Sequence, residues 1–311
     1  MKKILITGGA GYIGSMLSTE LVRLGYEVTV VDKLKYDKGS LDHLYFNKNF
    51  KLINEDTRNF KILKKLISIN EFIIPLAALV GAPLCEKNKK EAVSVNFKII
   101  KKILNILKEN NKLIYLTTNS GYGIGEKNKY CNEDSPLKPI SLYGKTKCDA
   151  EIEVMKFKNS ICFRLATVFG ASYRIRSDLL VNNFVRRAVN KNLIDVYEPY
   201  FRRNFIHIKD VVEGIIFAIK NFSKLKSNIY NLGLSNANIN KINLAKRIKK
   251  QIKSLKIRVI RNRSDPDKRD YFVSNKKIEK AGFKASISLD QGIKELIEVF
   301  KNNKKKIVNN Y

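Results

Sequence analysis

The sequence predicts an α/β protein with a doubly wound parallel sheet, and three observations support this prediction. Apolar strand patterns alternate with helical patterns through the first half of the chain. The first strand pattern runs directly into a glycine-rich turn that opens a helix. A second strand pattern ends on an acidic residue about 20 positions later, which completes a βαβ unit. The chain has 311 residues, 44% of them hydrophobic, so it can bury a large core.

The elements of the first half follow one another regularly. We expect strands at residues 3–7, 27–31, 50–54, 72–75, 112–117 and 161–165, and helices at 12–24, 58–69, 91–110 and 141–157. After Gly170 the rhythm changes, with helices at 178–190, 208–220, 241–253 and 289–300 and short strands at 193–197, 229–232 and 256–260. The pattern predicts a Rossmann-type domain over residues 1–170 and a smaller, mainly substrate-binding α/β part over residues 171–311, with a soft boundary.

The composition argues against several classes of protein. The four cysteines show no C-x-x-C spacing and only two histidines occur, which speaks against a disulfide framework or a metal site and favours a reduced, cytoplasmic setting. The net charge of +31 would attract nucleic acid, but the basic residues are spread over predicted helix faces, without clustered arginines and interleaved aromatics. No apolar run approaches the length of a membrane span. We expect no metal, nucleic-acid partner or membrane span.

The glycine-rich turn, residues 7–14 (TGGAGYIG), predicts a site for a dinucleotide pyrophosphate. Gly8 permits the sharp exit from the strand, and Gly11 lets backbone N–H groups approach a phosphate. Gly14 lets the helix pack close to the strand. The contacts expected here are Gly8, Gly11, Tyr12, Ile13 and Gly14, and the alternative is an ordinary βαβ turn.

Asp32, at the end of the second predicted strand, favours NAD over NADP. Its carboxylate should accept hydrogen bonds from the adenosine ribose and repel a 2′-phosphate. The neighbouring Lys33 keeps NADP open as an alternative, because its side chain could partner a 2′-phosphate if it folds back.

Tyr143 and Lys147 form a Tyr-x-x-x-Lys motif on a predicted helix. Four residues is about one helical turn, so the ammonium and the phenol share a face. A phenol normally titrates near pH 10, and a nearby cation together with a positively charged nicotinamide lowers its pKa. A hydroxyl at the end of the fifth predicted strand, where Thr117 and Thr118 stand, can hydrogen-bond a reacting carbinol.

These motifs together resemble the extended short-chain dehydrogenase/reductase family, in its nucleotide-sugar epimerase and dehydratase branch. The resemblance rests on residues 7–14, Asp56-Thr57, Leu76-Ala77-Ala78, Tyr143 with Lys147, and residues 203–208 (RNFIHI). It implies that Thr118, Tyr143 and Lys147 are catalytic. It implies cofactor contacts from Asp32, Lys33, Asp56, Thr57, Leu76, Ala77, Ala78, Thr117, Tyr143 and Lys147. It implies substrate contacts from Val80, Gly81, Asn119, Ser120, Thr167, Asn182, Arg203 and Arg269. It also implies a homodimer through the helices at 91–110 and 141–157, and a packing role for His207.

Two departures from the family pattern narrow the expected reaction. Relatives that eliminate water carry Asp-Glu directly after the catalytic Thr, where this chain has Asn119 and Ser120. Neither side chain transfers protons at neutral pH, so 4,6-dehydration is not expected. Leu165-Ala166-Thr167 stands where relatives usually carry Tyr-Phe-Asn, which argues against a standard UDP-galactose 4-epimerase.

Three longer strings, at residues 75–85, 118–126 and 265–271, resemble the GDP-heptose 4-dehydrogenases of capsule-sugar pathways. This resemblance implies oxidation of C4 of a GDP-linked heptose to a 4-keto sugar nucleotide with NAD, for surface polysaccharide synthesis. One alternative is a 4-epimerase of the UDP-hexose type, which re-reduces the keto sugar from its other face. The alternative outside enzymes is a dinucleotide-sensing or RNA-binding protein on the same fold, which we would expect to lack the Tyr143 and Lys147 pair.

Overall fold

The computed structural model describes residues 2–126, 129–261 and 269–302. Its strands are β1 Lys3–Thr7, β2 Glu27–Asp32, β3 Phe50–Asn54, β4 Phe72–Pro75, β5 Lys112–Thr118, β6 Tyr130–Cys131, β7 Ser160–Leu165, β8 Thr167–Phe169, β9 Leu193–Val196, β10 Arg202–His207, β11 Asn228–Leu232, β12 Asn238–Asn240, β13 Lys256–Val259 and β14 Phe272–Val273. A sheet of seven parallel strands, in the order β11-β7-β5-β4-β1-β2-β3, forms the centre of the molecule. The predicted doubly wound parallel sheet is therefore confirmed.

The α-helices are α1 Tyr12–Arg23, α2 Phe60–Ile69, α3 Ala82–Lys87, α4 Lys89–Val93, α5 Ile99–Leu104, α6 Leu142–Val154, α7 Leu180–Lys191, α8 Ile208–Lys220, α9 Phe222–Leu225, α10 Lys241–Gln251, α11 Lys276–Lys280 and α12 Leu289–Asn302. A π-helical turn at Ser94–Lys98 joins α4 to α5. Three smaller sheets, β12-β10-β8, β13-β9 and β14-β6, stand beside the main one.

The main sheet is buried on both faces, as its continuous apolar strands require. In β1, Ile4 and Ile6 pack into the cluster that includes α1 and α8, whereas Leu5 between them packs against α2, α5 and α6. Alternate residues of a strand point to opposite faces, so one short strand anchors both helical layers. The carboxyl ends of β1, β4 and β5 are thereby held at one edge of the sheet.

Most predicted helices differ by a few residues from their expected bounds, and the differences in two of them have a clear local cause. The helix expected at 58–69 begins at Phe60, because the Asn59 side chain accepts a hydrogen bond from the Ile62 N–H and caps it. The helix expected at 91–110 is the run from α4 through the π turn to α5, and it ends at Leu104. Asn111 holds the following connection, accepting from the Lys108 N–H at 2.8 Å and donating to the Asn70 carbonyl at 2.9 Å.

The chain does not complete the main sheet in sequence order. Strand β11 follows residue 170, yet it pairs with β7 at the edge of the seven-stranded sheet. Strands β8 and β10, which the sequence did not predict, pair in parallel just beyond the end of β7. The predicted division into two parts near residue 170 stays a prediction. The main sheet contains strands from both sides of that position, because β11 pairs with β7.

Candidate active site

A cleft of about 500 Å³ lies at the carboxyl ends of β1, β4 and β5. It brings together most of the site residues that the sequence predicts, namely Gly8, Gly11, Tyr12, Ile13, Gly14, Asp32, Lys33, Asp56, Thr57, Leu76, Ala77, Ala78, Val80, Gly81, Thr117, Thr118, Ser120, Tyr143, Lys147, Thr167, Arg203 and Arg269. Open α/β sheets bind their ligands at this position, beyond the carboxyl ends of the strands. The cleft is within the size range of small-ligand sites.

The glycine-rich turn has no room for side chains at two of its positions. Gly8 has a φ of +73°, and a Cβ there would lie 2.5 Å from the Ala77 backbone nitrogen. A Cβ on Gly14 would lie 2.4 Å from the Gly8 carbonyl oxygen, so close packing of α1 against β1 requires glycine. A Cβ on Gly11 would meet the Gly8 oxygen at 3.1 Å, so this position is less crowded. The turn fits the pyrophosphate expected of it, at the N-terminus of α1.

Asp32 ends β2 with its carboxylate fixed by the backbone. The carboxylate accepts hydrogen bonds from the Ala10 N–H at 3.0 Å and the Leu34 N–H at 2.9 Å. Burial raises the pKa of Asp32, and those two backbone hydrogen bonds oppose the rise. Lys33 lies 3.1 Å from Glu91, so its side chain is engaged by a carboxylate on α4. The geometry fits a ribose at Asp32 and gives Lys33 a partner other than a phosphate.

Asp56 and Thr57 line the cleft just beyond the end of β3. The side-chain hydrogen bond from Arg58 holds the pKa of Asp56 well below its usual range. Asp56 is therefore an anionic group held in place by a neighbouring cation, and Thr57 is buried beside it.

The hydroxyl of Thr117 marks a place that a ligand could fill. Thr117 lines the cleft, and its Oγ1 atom is buried without a hydrogen-bond partner among the described residues. A buried hydroxyl without a partner is costly, so this atom fits a polar group of a bound cofactor.

Tyr143 and Thr118 meet in the middle of the cleft. Burial, and to a smaller extent the nearby Cys85, raise the pKa of Tyr143, which is about 12 once all neighbouring groups have acted. Arg269, Arg176 and a hydrogen bond with Thr118 act in the opposite direction. The protein's own groups thus keep the phenol protonated at neutral pH, and the lowered pKa that the sequence predicts requires the added positive charge of a nicotinamide.

Lys147 stands one turn further along α6, as the Tyr-x-x-x-Lys spacing predicts. Its Nζ atom lies 4.1 Å from the centre of the Tyr115 ring on β5, and the residue is only 5% exposed. Burial lowers the pKa of Lys147 to about 7. The ammonium is therefore held at the cleft by a cation–π contact and loses its proton more readily than an ordinary lysine.

Asn96 is a site residue that sequence reasoning missed. It lies in the π turn, and its side chain is paired with the backbone of Leu79, which lines the cleft. Its Nδ2 atom also lies 3.4 Å from Thr146 Oγ1 on α6, and its carbonyl accepts from the Tyr115 hydroxyl at 3.5 Å. A π turn is often found at functional sites, but no residue pattern in the sequence marks this one.

The loop after Gly170 supplies further cations that the sequence did not single out. Arg174 and Arg176 are 3% and 6% exposed and both line the cleft. Arg176 is paired with Asp178, and the Arg174 guanidinium lies 4.8 Å from the centre of the Tyr36 ring. The Arg-x-Arg-x-Asp spacing was visible in the sequence, but cations are common along this chain.

Two residues predicted to contact substrate lie outside the cleft. Asn182 is fully buried, accepts from the Gly170 N–H at 3.0 Å and donates to the Arg176 carbonyl at 2.9 Å. These hydrogen bonds hold the loop after Gly170, and contact of Asn182 with a substrate stays a prediction. Asn119 is 1% exposed and does not line the cleft. Its side-chain amide has no hydrogen-bond partner among the described residues.

His207 has the packing role that the resemblance implied. It is fully buried, and its Nδ1 atom accepts a hydrogen bond from the Lys209 N–H at 3.3 Å. The ring proton is therefore on Nε2, which donates to Glu295 at 3.2 Å. Glu295 also accepts from the Ala171 N–H at 2.8 Å, at the start of the arginine-bearing loop.

Over residues 2–126, 129–261 and 269–302, no group of three or more His, Cys, Asp or Glu side chains is placed to hold a metal ion. Within the same ranges, no helix has both the length and the apolar character needed to cross a membrane.

Comparison with known proteins identifies the family. The model of the NAD dependent epimerase/dehydratase family matches residues 4–233. Protein CapI of Staphylococcus aureus is 30% identical over 233 residues, 70% of this chain and 69% of CapI. UDP-glucuronic acid decarboxylase 1 of Arabidopsis thaliana is 27% identical over 314 residues, 96% of this chain and 70% of that protein.

Solved structures show the same fold. The dTDP-glucose 4,6-dehydratase from Bacillus anthracis in complex with NAD has a TM-score of 0.85 at 20% identity, over 98% of both chains. The UDP-glucuronic acid 4-epimerase from Bacillus cereus in complex with UDP-glucuronic acid and NAD has a TM-score of 0.84 at 24% identity, over 96% of this chain and 99% of that one. Because the family model matches well over half of its length, the chain belongs to the NAD dependent epimerase/dehydratase family, as an enzyme with NAD as its cofactor.

Proposed function

We propose that the protein oxidises C4 of a nucleotide-activated sugar, a GDP-linked heptose, to the 4-keto sugar nucleotide for surface polysaccharide synthesis. The observation that carries this proposal is the convergence of Thr118, Tyr143 and Lys147 in the same cleft as the glycine-rich turn. Bound NAD supplies a hydride acceptor. The protein's own groups must then remove the proton of the C4 hydroxyl.

Tyr143 is the base for that proton. Its phenol shares the cleft with Lys147, and positive charge nearby favours the phenolate. Thr118 orients the C4 oxygen by hydrogen bonding, at the end of β5. Lys147, whose pKa burial lowers to about 7, would in its protonated form place a positive charge where a nicotinamide ribose and the phenolate both benefit from it.

The residues after Thr118 argue against an elimination following the oxidation. Asn119 is buried and carries no titratable group, and Ser120 hydrogen-bonds Thr118. Neither can act as the acid or base of a dehydration at neutral pH. The 4-keto sugar is therefore the proposed product.

The nucleotide diphosphate of the substrate would be held by cations. Among the described residues, four arginines line the cleft, Arg174, Arg176, Arg203 and Arg269. A guanidinium matches the geometry of phosphate oxygens and donates to them in pairs. Arg203 is 2% exposed, so its charge is desolvated and positioned before any ligand arrives.

A 4-epimerase is the second candidate, because the same three catalytic groups would serve it. The relatives include a UDP-glucuronic acid 4-epimerase. Oxidation is common to both reactions. Re-reduction requires only that the keto sugar rotate within the cleft, so that its other face accepts the hydride. A dinucleotide sensor or RNA-binding protein is a weaker candidate, since it has no need of the Tyr143 and Lys147 pair.

The decisive experiment incubates the purified protein with NAD and either GDP-heptose or UDP-hexoses. Products are followed by mass spectrometry and NMR, and reduced cofactor by its absorbance. A sugar nucleotide lighter by two hydrogens, with stoichiometric NADH, supports the dehydrogenase. An epimer of unchanged mass supports the 4-epimerase. Unchanged substrates in every incubation would contradict the catalytic proposal.

We also propose a homodimer that uses the helices around α5 and α6. Ile152 on α6 is 57% exposed, so a large aliphatic side chain is available at the surface of one of these helices. We expect Ile152→Glu to lower the mass measured by light scattering from dimer to monomer. A monomeric wild-type protein would contradict this proposal.

A further inference from the structure

Glu91 on α4 contacts three cations at the end of the cleft where Asp32 lies. Its Oε1 atom is 3.1 Å from Lys33 Nζ and 3.8 Å from Arg58 Nη2, and its Oε2 atom is 4.0 Å from Lys35 Nζ. Glu91 itself lines the cleft, as do the two lysines. Lys33 directly follows Asp32, whereas Glu91 belongs to a helix that comes after β4. A carboxylate from a distant part of the chain therefore faces the cations beside Asp32.

The same cations, without Glu91, would suit a phosphate group. The 2′-phosphate that distinguishes NADP from NAD carries about two negative charges at neutral pH, and lysine ammonium groups bind such phosphates. Asp56 is a second carboxylate near Lys33, at 3.5 Å, but Arg58 already donates to Asp56 from its Nε atom at 2.9 Å. Glu91 is thus the carboxylate that offsets the charge of Lys33 and Lys35.

Glu91 is ionised at neutral pH. Burial acts to raise its pKa, but Lys33, Lys35 and Arg58 lower the pKa overall. The side chains of Glu91 and Lys33 are 25% and 38% exposed, so a pair of this kind contributes little to the stability of the fold. The charge of Glu91 is therefore expected to affect the choice of ligand far more than the folding of the chain.

We propose that Glu91 is a specificity-determining residue for the cofactor, because it pairs with Lys33 and Lys35 and so withholds them from the 2′-phosphate of NADP. Asp32 alone gives an incomplete exclusion, since the cation next to it would compensate part of its repulsion of a phosphate. Glu91 removes that compensation and adds a negative charge at the same end of the cleft. The inference depends on NAD as the cofactor and is independent of which sugar nucleotide the protein oxidises.

The test measures the binding of NAD and of NADP to Glu91→Gln and to the wild type by calorimetric titration, without a sugar. Glutamine keeps the shape of the side chain and removes its charge. We expect the Kd for NADP to fall about fivefold in Glu91→Gln, while the Kd for NAD stays within about twofold. The gain for NADP should shrink as the salt concentration rises from about 0.05 M to about 0.5 M, because exposed charges are screened.

Two further variants separate a local effect from a change in net charge. Glu86 on α3 also pairs with a lysine, Lys89, at 3.3 Å but does not line the cleft, so Glu86→Gln should bind both cofactors as the wild type does. Adding Lys33→Ala to Glu91→Gln should abolish the gain for NADP. Glu91→Ala replaces Glu91→Gln if the latter fails to fold.

Three results would overturn the proposal: an affinity for NADP in the folded Glu91 variant equal to that of Glu86→Gln, an equal gain for both cofactors, or a gain that survives the loss of Lys33. These binding measurements need no turnover. Their failure is therefore distinct from the failure of the wild type to oxidise a sugar nucleotide.

Discussion

Asn96 and Leu79 are hydrogen-bonded to each other in both directions. The Leu79 N–H donates to Asn96 Oδ1 and the Asn96 Nδ2 donates to the Leu79 carbonyl, both at 2.9 Å. The Asn96 amide thus pairs with the N–H and the carbonyl of Leu79 in the way that the backbone of a neighbouring strand would. It satisfies the hydrogen bonds of this buried segment. The loop from Pro75 to Gly81 forms one wall of the cleft, so the π turn helps to set the width of the site.

Removal of this pairing should loosen that wall. Asn96→Ala leaves the Leu79 N–H unpaired and the Leu79 carbonyl with only the weak Cys85 thiol donor, and we expect the free energy of unfolding to fall by about 2–3 kcal/mol and NAD affinity to weaken. Denaturant unfolding and calorimetric titration measure the two effects. The exposed Asn105→Ala should change stability by less than about 0.5 kcal/mol. An Asn96→Ala protein as stable as this control would contradict the prediction.

Tyr143→Phe should separate catalysis from binding. The variant keeps the ring and removes the proton acceptor, so we expect kcat to fall by about 10²–10⁴-fold while NAD binding is retained. Steady-state kinetics and NAD titration measure the two quantities. A sensor with no chemistry would respond to NAD as before, and full turnover by the variant would rule out Tyr143 as the base.

Asp32→Ser should weaken discrimination between the two nicotinamide cofactors. The serine hydroxyl can no longer accept from both backbone N–H groups and a ribose, and its lack of charge ends the repulsion of a 2′-phosphate. We expect NAD affinity to fall about tenfold or more and the preference for NAD over NADP to shrink. Lys33→Ala is the control, because Lys33 is already paired with Glu91. A preference for NAD unchanged in Asp32→Ser would argue against this role.

Two glycine substitutions should have different consequences. Gly14→Ala places a methyl group 2.4 Å from the Gly8 oxygen, so the turn must shift, and we expect both stability and NAD binding to be lost. Gly25→Ala has open space around its Cβ but a φ of +83°, and should cost about 1 kcal/mol of stability with NAD affinity unchanged. Unfolding and NAD titration of both variants make the comparison. Equal NAD affinities of the two variants would show that Gly14 is not critical for NAD binding at the glycine-rich turn.

Glu295 should make stability depend on pH in the acid range. Burial acts to raise the pKa of Glu295, but hydrogen bonds from His207 and the Ala171 N–H bring it down to about 2. A carboxyl with a depressed pKa in the native state stabilises fully above its unfolded value of 4.5, and this contribution is lost as pH falls toward about 2.

The measurement is urea unfolding of the wild type and Glu295→Gln across that window. We expect the variant to be less stable at neutral pH, and the difference between the two proteins to shrink as the pH falls from 4.5 to about 2. Glu298→Gln, on the exposed side of the same helix, is the control and should follow the wild type. A constant difference at every pH would show that the charge of Glu295 is not involved.

The sequence predicts the strands at the core of the fold well, because there an apolar run coincides with residues that end a strand. Strands β1, β3 and β4 have the expected bounds, since each is a short apolar run closed by polar, glycine or proline residues. The pairing of β8 with β10 was not predictable in this way, because both are short and gain their partners only through the folded chain. The π turn was not predictable either, because Asn96 within it pairs with a distant loop that no local pattern reveals.

In the candidate site, too, residues marked by a local motif were predictable, and residues that depend on distant partners were not. Motif residues such as Gly8, Asp32 and Tyr143 could be placed because their spacing has a physical meaning on a strand, turn or helix. Asn182 was assigned to the substrate from the family resemblance, whereas its partners in the structure are backbone groups that only the folded loop presents. Arg174 and Arg176 were missed because a highly basic sequence hides functional cations among solvated ones.

The position of β11 late in the chain has a consequence for folding during synthesis. Until Leu232 has left the ribosome, β7 remains an open edge with unpaired N–H and carbonyl groups. A chain ended near residue 170 would carry the whole glycine-rich turn and the proposed catalytic residues, yet present that edge to other copies of itself. We expect such a fragment to aggregate during synthesis, and the folding of this enzyme to be completed only after most of the chain has emerged.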